Sequence, residues 1–110
     1  MKNALLKEKC VPCKGRVEPM TPEEITRMLP EIDRWQQEDY KKIWREFKYK
    51  NFVQAIDFIN RIADIAEYEG HHPDFALHDY NRVRVELMTH AIHGLSRNDF
   101  IVAAKINNRA

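Results

Sequence analysis

Residues 75–90 read FALHDYNRVRVELMTH, and their alternation decides the fold. Phe75 and Leu77 alternate with their neighbours, His78-Asp79-Tyr80-Asn81 can turn, and Val83, Val85, Leu87 and Thr89 then share one face. Period two on both sides of a turn-forming cluster predicts two antiparallel strands, because successive side chains of an extended chain point to opposite faces of a sheet. Arg82, Arg84, Glu86, Met88 and His90 fall on the other, more polar face. His90 therefore ends that face, just beyond the buried stripe.

The same pattern recurs upstream. Between Trp35 and Lys50, Ile43, Phe47 and Tyr49 share a face with Arg45, and Gln37 to Lys41 can turn. Between the two strand pairs, Phe52, Ile56, Ile59, Ala63 and Ala66 recur at helical steps, with Gln54, Asp57, Arg61 and Asp64 opposite. Gly70 suits the left-handed position that closes such a helix. An earlier helix starts at Thr21, with Pro22 in its first turn, Glu24 completing a capping box, and Pro30 ending it. A last helix opens with a second box, Ser96 to Asp99, and runs through Ala103, Ala104 and Ile106. The order α-β-β-α-β-β-α predicts an α+β domain, a four-stranded antiparallel sheet with three helices packed on one face. Residues 21–110 form that single domain. Residues 1–20, broken by Pro12, Gly15 and Pro19, read as a partly ordered arm.

Composition bounds the function. The chain has 110 residues, 44% of them apolar, enough for one modest core. Eighteen Lys and Arg against 17 Asp and Glu leave a net charge of +1, which gives neither nucleic acid nor an acidic membrane an electrostatic hold. Lys42, Lys48 and Lys50 surround Trp44, but Glu46 interrupts them, so this strand face reads as solvated. No apolar run approaches a membrane span, and the first ten residues lack a secretory signal's apolar stretch. The expectation is a soluble cytoplasmic domain that binds no nucleic acid and no membrane. Cys10-Val-Pro-Cys13 is a CxxC without a second one, too little for a zinc site or a thioredoxin-like pair, so no metal site is expected.

All five histidines, at 71, 72, 78, 90 and 93, fall within 23 positions. Imidazole can donate or accept a proton near neutrality, so such clustering points to acid/base chemistry. Glu67 and Glu69 lie in a last helical turn, where the helix dipole disfavours carboxylates, and a carboxylate there can fix a histidine tautomer. Pro73 holds His72 extended, so His71 and His72 should point in different directions. Asp99 is explained by capping alone, yet a carboxylate at that position can also face a site. His78 and His93 read as surface residues.

Glu67, then His71-His72-Pro73, Tyr80, His90 and Asp99 together resemble the spaced signature of the pterin-4a-carbinolamine dehydratases. The resemblance runs from about Thr21 to about Ile106 and extends to Gly94-Leu95-Ser96 and Lys50-Asn51-Phe52. Three positions depart from the vertebrate members. Gly70 stands where they carry an acidic residue, and Ala91 and Ile92 differ from theirs. The resemblance implies a hydro-lyase that dehydrates 4a-hydroxytetrahydropterin to quinonoid dihydropterin in tetrahydrobiopterin recycling. It implies no cofactor, a homodimer or homotetramer, and a functional link to an aromatic amino-acid hydroxylase. His71 and His90 would be the acid/base pair, with His72 binding pterin and able to act directly. Glu67 would orient His71, Asp99 would support the site, and Pro73 and Thr89 would shape the pocket. Two alternatives stand beside this reading: a non-catalytic dimerisation module of the same fold, and a pterin enzyme serving molybdenum-cofactor metabolism.

Overall fold

A computed structural model describes residues 3–12 and 18–110. After one helical turn, α1 (Asn3–Leu6), the elements run α2 (Pro22–Met28), β1 (Gln36–Glu38), β2 (Lys42–Lys48), α3 (Phe52–Glu69), β3 (Asp74–His78), β4 (Arg82–Leu87) and α4 (Arg97–Arg109). The four strands form one antiparallel sheet in the order β1-β2-β4-β3. Hence β2 and β4 are central, and the α+β architecture expected from the alternation is present.

Local chemistry sets the element ends. Thr21 Oγ1 accepts from the Glu24 amide at 3.2 Å and Glu24 Oε1 from the Thr21 amide at 2.9 Å, a complete capping box ahead of Pro22. Asn51 Oδ1 caps α3 through the Gln54 amide, and Gly70 closes it at φ 66°. Both hairpins turn on an Asp-Tyr pair, Asp39-Tyr40 and Asp79-Tyr80, with φ between 48° and 55° at all four residues. Positive φ at two successive positions matches the turn to the right-handed twist of the strands it joins.

One face of the sheet, carrying Ile43, Phe47, Val83, Val85 and Leu87, is buried under the helices. Phe58 of α3 lies on Phe47, ring centroids 4.5 Å apart, and α4 ties in through Asn107, which accepts from Trp35 Nε1 and from Arg45. The other face is wet and laced with ion pairs. Lys42 meets Glu86, Arg82 meets Glu46, and the Arg84 guanidinium lies 3.9 Å from the centre of the Trp44 ring.

Helix α3 corrects the sequence reading. Its buried residues are Ala55, Phe58, Ile62, Ile65, Ala66 and Glu69, whereas Phe52, Ile56 and Ala63 are exposed. The expected stripe lies one residue, about 100°, round the helix from the buried one. Apolar residues at both sets of positions make two overlapping stripes of similar period, and contact with Phe47 and Tyr49 decides between them.

Candidate active site

The C-terminus of α3, the loop 89–94 and the start of α4 converge at one corner of the fold. Gly70 ends α3 abruptly, and its amide and that of His71 both close on the Ala66 carbonyl. His71 and His72 therefore follow directly on a fixed helix end. The second loop is equally constrained: Thr89 and Gly94 pair as an isolated bridge around a 3₁₀ turn, His90–Ile92, that carries His90 at its start. A Cβ at Gly94 would sit 2.9 Å from the Pro19 Cβ, so the close passage of Pro19 requires glycine there.

Asp99 is the centre of this corner. Its side chain is fully buried, and its carboxylate accepts from His71 Nε2 at 2.6 Å, from the Thr89 hydroxyl at 2.8 Å and from the Ser96 amide at 3.0 Å. Thr89 and Ser96 also share a hydroxyl–hydroxyl bond of 2.8 Å. A buried carboxylate persists when its lone pairs are filled, and three donors fill them here. One residue thus caps α4, anchors the Thr89 loop and orients His71. A bond from Nε2 to a carboxylate that only accepts needs the ring proton on Nε2, and it leaves Nδ1 outside the pair.

His72 has a matching but exposed arrangement, with Nε2 on Glu67 Oε2 at 2.6 Å. Glu67 therefore holds His72, not His71 as the resemblance implied; the buried Asp99 takes that role. His90 is exposed and bonds to no side chain among the described residues.

A cleft of about 620 Å³ brings Glu67, Glu69, His71, His72, Thr89 and His90 together, with Met88 and Ala91 beside them. Asp99 stands behind His71, and Pro73 is half-buried outside the lining. His78 lies elsewhere, bonded to Glu46 at 2.6 Å and to Asp79 at 3.1 Å, and those two carboxylates push its pKa up. His93 is exposed at the left-handed end of the 3₁₀ turn.

Sequence reasoning missed one wall. Lys9, Cys10, Val11 and Pro12 of the arm also line the cleft, as do Tyr68 and Asn98. A segment without period gives no signal of where it docks, and the contacts that fix it span 59 to 88 residues. Cys10 is buried, and burial together with the Glu69 carboxylate pushes its thiol up to about 12, so it stays protonated at neutral pH. Cys13, the other half of the CxxC, lies outside the described residues.

Comparison with known proteins shows the family of the chain. A profile of the family described as pterin 4 alpha carbinolamine dehydratase matches residues 18–109. A Halorhodospira halophila protein provisionally named pterin-4-alpha-carbinolamine dehydratase is 43% identical over 105 residues, 94% of this chain and 95% of that one. The mitochondrial pterin-4-alpha-carbinolamine dehydratase 2 of Arabidopsis thaliana is 45% identical over 104 residues, 91% of this chain and 56% of that one. Among solved structures, a transcriptional coactivator/pterin dehydratase from Brucella melitensis superposes with a TM-score of 0.77 at 37% identity, covering 83% of this chain and 97% of that one.

Proposed function

Because the chain belongs to the pterin 4 alpha carbinolamine dehydratase family, a family of lyases, we propose that it dehydrates a 4a-hydroxytetrahydropterin to the quinonoid dihydropterin by histidine acid/base catalysis. The observation that carries this reading is the meeting of His71, His72 and His90, from two separate segments, on one cleft. In the reaction the C4a–O bond breaks, a proton joins the departing hydroxyl to make water, and a ring N–H proton is removed as the C=N bond forms. No electrons are exchanged, so the chemistry calls for an acid and a base and for no redox cofactor or metal. Each such group contributes about 10²–10⁴-fold.

His71 and His90 serve as the pair, one giving the proton and the other taking it. Asp99 fixes His71 so that Nδ1 is the nitrogen free to exchange with substrate, while the exposed His90 restores its own proton from solvent. His72 and Glu67 bind the pterin at the mouth. Product formed this way would feed back to the pterin cofactor of an aromatic amino-acid hydroxylase. A homodimer or homotetramer fits the apolar residues left exposed on α3 (Phe52, Val53 and Ile56) and on edge strand β3 (Phe75), and the cytoplasm is the location that goes with this reading.

Stopped-flow absorbance on freshly generated 4a-hydroxytetrahydropterin tests the reading. Wild type should outrun the uncatalysed decay, and His71→Ala and His90→Ala should each lose about 10²-fold or more. A folded wild type no faster than buffer would sink the enzyme and favour a non-catalytic binding module; transcriptional coactivator is the first half of the Brucella melitensis protein's description.

A further inference from the structure

The cleft wall contributed by residues 9–12 is built, not incidental. The Cys10 amide donates to Glu69 Oε1 at 2.8 Å. The Val11 amide donates to Asn98 Oδ1 at 3.1 Å, and Asn98 Nδ2 returns a bond to the Val11 carbonyl at 2.6 Å. Lys9 reaches the Tyr68 carbonyl at 2.5 Å and lies 4.1 Å over that ring. Behind this segment, Leu5 is buried in the core and Glu8 takes both ends of the Arg97 guanidinium, at 2.7 and 2.5 Å. The anchors are themselves buried: Asn98 is 6% exposed, and the Glu69 side chain is fully buried and paired with Lys105.

These anchors adjoin the catalytic machinery. Glu69 is two residues from His71, and Asn98 precedes Asp99, so the first turn of α4 holds the arm with one side chain and His71 with the next. Docking uses both amides and the Val11 carbonyl. Beside Lys9 and Cys10, the cleft is lined by Val11, 68% exposed, and Pro12, whose apolar side chains take no part in these bonds. Among the described residues nothing covers this valine, although its segment is firmly seated, while a flat bicyclic substrate needs an apolar surface against its ring face.

We propose that Val11 and Pro12 form a substrate-contacting wall that covers one face of the pterin ring, and that Asn98 and Glu69 are positioning residues that hold it there. This inference rests on the dehydratase reading and adds a binding element outside the histidine signature.

The test uses the full chain, a non-reacting pterin (7,8-dihydrobiopterin) titrated by fluorescence, and the stopped-flow assay. Val11→Asp should weaken dihydrobiopterin binding and raise KM about tenfold, with kcat falling much less and the melting temperature unchanged, because Val11 is exposed. Val11→Ile should stay near wild type. Asn98→Ala should show the same KM-over-kcat pattern with a lower melting temperature. If wild type binds and turns over while Val11→Asp keeps KM and pterin affinity within twofold, the wall assignment is overturned and the dehydratase stands. If wild type neither binds nor turns over, the dehydratase reading has failed and the wall falls with it.

Discussion

His71 and His72 are consecutive, and each places Nε2 2.6 Å from a carboxylate oxygen, yet the two pairs live in different media. The His71 side chain is 14% exposed and its partner Asp99 not at all, whereas His72 and Glu67 are 61% and 77% exposed. Water and salt screen the outer pair, and an exposed polar contact of this kind adds little to stability. The inner pair sits in a weakly screening interior, where losing one partner leaves the other stranded. Glu67 and Glu69 repeat the contrast two residues apart, one at the mouth and the other buried against Lys105 and the arm. At this corner the inner member of each pair fixes geometry, and the outer member is free to meet a ligand.

Breaking the inner pair should give the largest effect. Asp99→Ala strands His71 Nε2 and the Ser96 amide, leaves the Thr89 hydroxyl with Ser96 alone, and should cost about 3–5 kcal/mol, a large part of what holds so small a domain together. Asp99→Asn keeps the volume but puts an N–H where an acceptor is needed. Dehydratase activity should then fall about 10²-fold or more, because the His71 tautomer is no longer set. Thermal melts and stopped-flow rates on both variants check this. Full activity in a folded Asp99→Asn protein would reduce Asp99 to a cap.

Much of that inner arrangement was legible in advance. The capping box predicted Asp99 at the start of α4, and the alternation put Thr89 on the buried side. But β4 ends at Leu87 and His90 opens a 3₁₀ turn, so His90 does not end a strand face as the alternation had it. The partner assignment was not legible. The resemblance implied that Glu67 orients His71, but Gly70 turns the chain at φ 66° and His71 goes inward to a residue 28 positions away. The burial stripe of α3 and the seat of the arm failed for the same reason: both are chosen by long-range contact, and local period cannot rank two apolar stripes or dock a segment that has none.

Glu69 offers a smaller effect with a pH signature. Burial opposes its charge, but the Lys105 ammonium and the Cys10 amide outweigh burial and hold the carboxyl below its ordinary 4.5. A carboxyl depressed on folding lends stability above its unfolded value and loses it as pH falls through the folded one. Glu69→Gln should therefore melt lower than wild type by about 2 kcal/mol equivalent at pH 7, with the gap closing below pH 4.5. Melting curves of both proteins from pH 7 to 3 measure this directly; a gap independent of pH would mean that packing, not charge, seats the arm.

The outer pair should yield the smallest change. Glu67→Gln keeps a carbonyl acceptor within reach of His72 Nε2 and removes a charge that solvent already screens. Its melting temperature should match wild type at every salt concentration. Its activity should fall a few-fold at low salt, where the Glu67 charge still helps to hold His72 in place for the pterin. As salt rises, wild type should slide toward the variant, since screening removes from one what substitution removed from the other. A drop as large as that of Asp99→Asn would erase the distinction between the pairs and move Glu67 from holding a binding histidine into the proton-transfer machinery itself.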